Sequence, residues 1–153
     1  ARQLGIPVEN HLVENGRPLP REKFFVPGSV IRVRVDNTQP IAYGMAEEAD
    51  VFFDESPVWK LGNGATATSV RRVAWYEGER PLRSGWAWGQ ERLTGGLAAA
   101  QASVGRATLY LFGPEILFRA QPHGTFKFLF NGIYYGTSTP VGTAARETTV
   151  QPQ

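Results

Sequence analysis

The chain has 153 residues, of which 42% are hydrophobic and 20% are charged, and it contains no cysteine. One domain with a sizeable core is expected at this length, and the missing cysteines exclude disulfides, thiolate metal sites and a cysteine nucleophile. The net charge of +2, from 16 Lys and Arg against 14 Asp and Glu, provides no concentrated positive field, so nucleic-acid binding is not expected. No apolar run approaches the roughly 20 residues of a membrane-spanning helix, and no signal peptide is predicted.

The chain begins at Ala1 and has its only methionine at Met45. We therefore expect a processed product or a segment of a longer protein, and we favour the segment. Activity of that longer protein would then reside partly in residues outside this sequence. Residues 1–136 are expected to form one globular domain. Residues 137–153 are rich in Thr, also contain Ala, Pro and Gly, and carry almost no large apolar side chain, which predicts a flexible C-terminal tail.

The first half of the chain predicts short strands separated by Pro and Gly. Residues 1–20 are interpreted as a loop with at most one short strand, because they contain three prolines and a turn-like Asn-Gly pair. Residues 29–36 alternate between Val or Ile and polar side chains, which predicts a half-buried strand. Further strands are expected in residues 49–61, as two short strands or one bent strand, and in residues 69–76.

The second half predicts a hairpin followed by one helix. Residues 97–103 and 107–112 are strand-like on either side of a tight reversal, which indicates a β-hairpin. Residues 122–135 carry an apolar stripe at helical spacing, and Gly136 is placed to end the helix. The stripe consists of Phe126, Leu129, Phe130, Ile133 and Tyr134. This order predicts an α+β fold, in which the C-terminal helix packs on a mixed-direction sheet of about five to seven strands.

Two histidines and a glutamate form a candidate metal site. His11 and Glu14 have the His-x-x-Glu spacing that supplies two zinc ligands in a carboxypeptidase, and His123 is the only other histidine. A chain with two histidines produces such a pattern by chance fairly often, and a flexible Asn-Gly turn follows Glu14 directly. We therefore expect no metal in this chain, and a small zinc enzyme built on these three residues is kept as an alternative.

Five carboxylates cluster within residues 47–55. They are Glu47, Glu48, Asp50, Asp54 and Glu55. The cluster lacks the Asp-x-Asp-x-Asp-Gly order of a calcium loop, so a solvated charged face is expected. The sequence also lacks Gly-x-Ser-x-Gly and any Gly-rich phosphate loop, so a serine hydrolase is not expected and no catalytic residue is assigned.

Tryptophan side chains provide a candidate binding surface. Of the four, Trp86 and Trp88 are two residues apart, would share one face of an extended segment and would stack on sugars or peptides. The expected role of the tryptophans is nevertheless to pack the core, and the binding surface is kept as the alternative. Arg119 and His123 flank the start of the predicted helix, where backbone N–H groups favour an anion, although capping or a local hydrogen bond is the expected role of His123.

Seven short segments, taken in order, carry a resemblance to a known family. They are FVPGSVIRV (25–33), QPIAYGM (39–45), VFF (51–53), SGW (84–86) with GQERL (89–93), GRATLYLFG (105–113) and HGTFKFLFN (123–131). The series resembles the C-terminal region of large bacterial proteins of the zinc carboxypeptidase, carboxypeptidase A-like family. In those proteins the metallopeptidase domain comes first, and the region after it is similar to class I glutamine amidotransferase-like domains. The resemblance covers about residues 1–136.

The resemblance implies a non-catalytic accessory domain. The zinc and the catalytic residues of that family belong to the upstream peptidase domain, so no zinc ligand carries over to this chain. The amidotransferase-like region implies part of an α/β, flavodoxin-like topology, but its activity needs a nucleophilic cysteine, which this chain lacks.

The resemblance also implies partners and a location. The expected partner is the upstream peptidase domain of the same protein, or a second copy of the chain in a homo-oligomer. The expected location is extracellular or periplasmic, since such proteins are commonly exported. A carbohydrate- or peptide-binding module that uses Trp86 and Trp88 is the alternative from another functional class.

Overall fold

A computed structural model of the chain describes residues 4–66 and 69–136. These residues form ten β-strands and, as the last element, one α-helix. The strands are β1 (Val8–Asn10), β2 (Val13–Glu14), β3 (Arg17–Pro18), β4 (Ser29–Val35), β5 (Glu48–Phe53), β6 (Trp59–Leu61), β7 (Val70–Trp75), β8 (Leu82–Ser84), β9 (Leu97–Val104) and β10 (Ala107–Phe112). The helix, α1, covers Phe126–Tyr135. The predicted tail, residues 137–153, lies outside the described residues.

Eight of these strands form one curled antiparallel sheet, and β2 and β3 form a separate hairpin. Strand β4 pairs along one edge with β5 and along the other with both β8 and β7. Strand β9 pairs along one edge with β7 and along the other with β10 and β6, and β1 extends the sheet beyond β6. Register shifts in the pairs β4–β8 and β7–β9 add local twist. The sheet therefore bends around its core.

The α+β class with a C-terminal helix is confirmed, whereas the predicted mixed direction of the sheet is wrong. Every strand pair among residues 4–66 and 69–136 is antiparallel. Parallel neighbours need a crossover of a dozen or more residues, usually a helix, and the α-helix described here follows all the strands. Residues 1–20, predicted to be largely loop, contribute the short strands β1 to β3.

The core lies on the inner face of β4 and its neighbours. Ile31, Val33 and Val35 are buried and the intervening side chains are partly exposed, which confirms the predicted alternation. The largest fully buried side chains opposite them include Phe53 and Tyr76, whose rings meet edge to face. A smaller apolar cluster packs on the other side of the sheet around β1, β7 and β9. The first four residues of β9, residues 97–100, are buried on both faces of the sheet.

Helix α1 packs through Phe128, Asn131 and Gly132. The ring of Phe128 is buried, and its centroid lies 5.6 Å from that of Phe112. The Asn131 side-chain amide donates to the backbone carbonyl of Ile41 at 3.0 Å. A Cβ on Gly132 would lie 3.2 Å from the Ile41 Cδ1, so the missing side chain permits the close approach of the helix.

The predicted apolar stripe of α1 therefore does not form the packed face. Phe130, Ile133 and Tyr134 are 53%, 65% and 77% exposed. The side of the helix on which Gly132 lies instead packs against the 3-10 turn at Pro40–Ala42. Gly136 follows the helix as predicted, but with a right-handed φ of −62° instead of the left-handed conformation of a glycine cap. Among the described residues, no helix is long and apolar enough to cross a membrane.

Candidate functional site

Trp86 and Trp88 lie at the surface, in the segment between β8 and the 3-10 turn at Gln90–Leu93. Their side chains are 53% and 55% exposed, whereas Ala87 between them packs against the core. Because successive side chains of an extended segment point to opposite sides, both indoles lie on the same outward face. Their role in ligand binding stays a prediction.

A buried hydroxyl fixes the backbone of Trp86. The Ser29 side chain, at the start of β4, is 1% exposed. Its Oγ accepts a hydrogen bond from the Trp86 N–H at 2.9 Å and donates one to the Trp86 carbonyl at 2.6 Å. Gly85 has a φ of +94°, and a Cβ there would lie 2.6 Å from the Ser29 Oγ. The position before Trp86 therefore requires glycine.

The segment before β4 holds Trp88 in place. The backbones of Phe25 and Trp88 exchange two hydrogen bonds, of 3.0 and 2.9 Å, in an isolated antiparallel bridge. The indole Nε1 of Trp88 donates to the carbonyl of Glu22 at 2.8 Å. Since both its backbone and its ring nitrogen are bonded, Trp88 presents its ring in one fixed orientation.

Phe25 joins the two tryptophans on this face, and we call Phe25, Trp86 and Trp88 the aromatic surface. Residues that are opposite or diagonal in an antiparallel pair share a face, and the Phe25 and Trp86 ring centroids are 5.9 Å apart at 68°. The Arg21 guanidinium lies 4.8 Å from the Phe25 ring centroid and forms a 2.5 Å ion pair with Glu55. Flat apolar rings bordered by a cation can stack on a sugar or on an apolar peptide side chain.

An open cavity of about 860 Å³ adjoins the aromatic surface. Phe25 belongs to both, and Arg21, Glu9 and Glu55 provide charged side chains in the cavity lining. The apolar wall includes Val8, Leu12, Phe24, Val58 and Trp59. An apolar cleft of this size with a few polar groups is typical of small-molecule sites.

The fourth tryptophan, Trp75, lies elsewhere, with the Arg72 guanidinium 3.9 Å from the centroid of its ring.

The three residues of the zinc alternative have different surroundings. His11 donates its backbone N–H to the carbonyl of Val58 at 2.9 Å, Glu14 forms an ion pair with Lys23, and His123 is exposed just before α1. Among residues 4–66 and 69–136, no group of three or more His, Asp or Glu side chains is placed to hold a metal ion. The structure therefore does not bring these residues together.

Arg119 and His123 flank the start of α1 without forming a cap. Arg119 is exposed, has a φ of +47° and places its guanidinium 5.1 Å from the ring of Phe118. His123 opens a 3-10 turn, and Thr125 occupies the cap position of α1. His123 therefore does not cap α1, but its backbone N–H makes a local hydrogen bond to the Gln121 carbonyl at 2.8 Å. Its side chain lines a second cavity together with Lys127.

The predicted solvated charged face is confirmed for three of the five carboxylates, Glu47, Glu48 and Asp50, on the outer side of β4 and β5. The Arg32 guanidinium binds Glu48 at 3.0 Å and Asp50 at 2.9 Å, and Arg34 binds Glu47 at 3.2 Å. The hydrogen bond that Arg32 donates to the Asp50 carboxylate raises the pKa of Arg32. These carboxylates are therefore neutralised by arginines on the same partly exposed face.

No family model matches the chain, and neither a curated protein nor a solved structure matches it. The family resemblance of the sequence accordingly stays a prediction, and the site geometry carries the functional argument.

Acidic pH is expected to destabilise the protein through His11. Burial lowers the pKa of His11 below its ordinary value near 6.5, so the unfolded chain takes up this proton at a higher pH than the folded chain. The free energy of unfolding should fall as the pH drops through 6.5 and level off below the folded pKa. Urea unfolding at pH 7.5 and 5.5 measures this loss. His11→Gln should reduce it, and an undiminished loss in that variant would contradict the assignment.

Proposed function

We propose that the chain is a non-catalytic accessory domain that contacts a partner through the aromatic surface. The observation that carries this proposal is the fixed placement of Phe25, Trp86 and Trp88 on one face. Two separate segments position these rings by backbone bonds and a buried serine. Half-exposed tryptophans in one orientation are typical of binding sites, since they offer apolar area that loses little entropy on binding.

The sequence resemblance supports placing this domain in a zinc carboxypeptidase-like protein. On this proposal, the zinc and the peptidase activity belong to an upstream domain, and the whole protein is extracellular or periplasmic. The chain would then correspond to part of the flavodoxin-like, amidotransferase-like region, in a rearranged and more β-rich form. The partner of the aromatic surface would be the upstream peptidase domain.

Binding of a separately produced peptidase domain tests this proposal. Isothermal titration should detect binding to the parent chain, and Trp86→Ala should weaken it at least tenfold, as expected for a central aromatic contact. Tyr43→Ala is the matched control, because Tyr43 is also exposed, at 66%, but contacts Tyr135 beside α1. Equal affinity for the parent and Trp86→Ala, or no binding at all, would contradict the proposal.

A turnover assay separates the accessory domain from the zinc alternative. The isolated chain, incubated with zinc and a panel of C-terminal peptide substrates, is expected to show no hydrolysis. Robust turnover that His11→Ala abolishes would instead assign the activity to His11, Glu14 and His123.

A carbohydrate- or peptide-binding module is the second candidate function. The favouring observation is the apolar cavity that shares Phe25 with the aromatic surface and offers room for a small ligand. Tryptophan fluorescence should shift when soluble glycans or cell-wall peptides are added, and Trp88→Ala should abolish most of the shift. A flat response across such a panel would count against this candidate.

A further inference from the structure

Strand β5 forms an outer edge of the sheet, since among the described strands it pairs with β4 alone. The backbone N–H of Val35 donates to the Glu47 carbonyl at 2.8 Å. In an antiparallel pair, the backbone groups of every second residue bond to the neighbouring strand. This bond therefore shows which residues of β5 point toward β4 and which point away. The backbone N–H and C=O groups of Glu48, Asp50 and Phe52 therefore point away from β4.

Two further hydrogen bonds support this orientation. The N–H of Arg32, opposite Asp50, donates away from β5, to Pro81 at 2.8 Å. The outward carbonyl of Phe52 accepts a bond from the Glu115 N–H at 3.0 Å. The outward N–H and C=O groups of Glu48 and Asp50, which follow each other along the edge, have no backbone partner among the described residues.

These groups border a cavity of about 640 Å³ that runs along the edge of β5. Gly44 and Met45 line it near the start of β5, and His123 and Lys127 lie on its other wall. Phe118 lines the end of the cavity near Phe52, and their rings are stacked with centroids 4.0 Å apart. The bond from Glu115 closes the edge at this end, so the free edge extends toward the Gly44 end.

Folded proteins usually protect an exposed strand edge with proline, a bulge or a covering segment. Strand β5 contains no proline, its pairing with β4 shows no register shift, and the segment from residue 115 reaches its backbone only at Phe52. On the sheet face, Glu48 pairs with Arg32 and Arg34. Asp50 pairs with Arg32 and Arg83. The 3-10 turn at His123–Thr125 packs near β5 but forms no backbone hydrogen bond with it, and the cavity that both line is the space that a further strand would occupy.

The charge at the Gly44 end selects between occupants. The Lys127 ammonium donates to the carbonyl of Gly44, and no carboxylate among the described residues forms an ion pair with it. A hydrogen bond to a neutral carbonyl leaves the positive charge uncompensated. A carboxylate on the bound segment would therefore complement this end of the cavity.

We propose that the edge of β5 binds an extended peptide of a partner protein as an additional β-strand, with an acidic side chain placed beside Lys127. Backbone bonds to Glu48 and Asp50 would provide the affinity, and the cavity walls would select alternate side chains, as in other cases of strand addition. This site shares no residue with the aromatic surface and does not depend on the function proposed for it.

A proline variant tests the role of the backbone. Peptides selected on the parent chain from a random 12-residue phage library should bind Asp50→Pro at least tenfold more weakly, because proline removes only the outward N–H of an edge strand. Asp50→Ala is the matched control, because it removes the same carboxylate but keeps the N–H, and it should bind within about threefold of the parent. Selected peptides that bind Asp50→Pro and the parent equally, or a library that yields no binder, would overturn the proposal.

Modified peptides test the same bonds on the unaltered protein, so misfolding of a variant does not affect the result. Methylating the backbone nitrogens of alternate residues in a selected peptide should abolish binding for one set of positions and spare the other set. Equal tolerance of both sets would rule out strand addition.

Two more measurements identify the occupant. The selected peptides should share an acidic residue, and Lys127→Gln should weaken their binding at least fivefold. Unchanged binding in that variant would overturn the proposed acidic side chain beside Lys127.

Sedimentation of the parent and Asp50→Pro reports self-association. A parent dimer that the proline variant converts to a monomer would make a second copy of the chain the occupant and overturn the peptide partner.

Discussion

Replacing Gly89 with alanine is expected to destabilise the protein by about 2–5 kcal/mol and to disrupt the aromatic surface. Gly89 has a φ of +71°, which costs an L-residue about 1–2 kcal/mol. A Cβ at this position would also overlap the backbone carbonyl of Lys23. Overpacking of this kind costs roughly a further 1–3 kcal/mol, and the obstacle is backbone that cannot rotate away. Relief of the overlap would separate Phe25 from Trp88.

Gly95→Ala is the control for this variant. Gly95 has a similar φ of +80°, but nothing lies within 4 Å of a Cβ built there, so only the conformational cost of about 1–2 kcal/mol applies. Urea unfolding gives the two stabilities, and near-ultraviolet circular dichroism reports the environment of the tryptophans. Equal losses of stability in both variants would show that the segment before β4 does not press against Gly89.

The sequence predicted those elements that are defined by residues close together in the chain. Strand β4 was predictable because its alternating Val and Ile residues face a core on one side only. The hairpin of β9 and β10 was predictable because two strand-like runs flank the two-residue turn Gly105-Arg106. The strands β1 to β3 were missed because two or three residues are too few to show a period. Strand β1 pairs with β6, and that distant partner defines it.

The candidate sites depend on contacts between distant segments, which one sequence does not reveal. Spacing alone placed Trp86 and Trp88 on one face, but Phe25 joins them through a bridge to a distant part of the chain. The apolar stripe predicted a helix at α1 correctly, but it predicted the wrong side of the helix to be packed. Gly132 determines which side approaches Ile41. The sequence likewise predicted β5 as a strand, whereas its position at an edge follows from the strand order.

Two substitutions at Tyr76 are expected to differ by several kcal/mol in their effect on stability. Tyr76 is fully buried, and its ring centroid lies 6.0 Å from that of Phe53 in an edge-to-face arrangement. Tyr76→Ala removes the whole ring and leaves a cavity in the centre of the core. Loss of a buried aromatic side chain costs about 3–5 kcal/mol, so this variant should unfold at a much lower urea concentration than the parent.

Tyr76→Phe, in contrast, should keep or raise the stability, by up to about 1 kcal/mol. The Tyr76 hydroxyl is buried and has no hydrogen-bond partner among the described residues, and burial raises the pKa of this phenol. An unpartnered buried hydroxyl loses its hydrogen bonds to water on folding, a cost that phenylalanine does not have. Urea unfolding of both variants under the same conditions makes the comparison. A loss above about 1 kcal/mol in Tyr76→Phe would mean that the hydroxyl is hydrogen-bonded in solution. The two results together separate the packing of the ring from the burial of its polar atom.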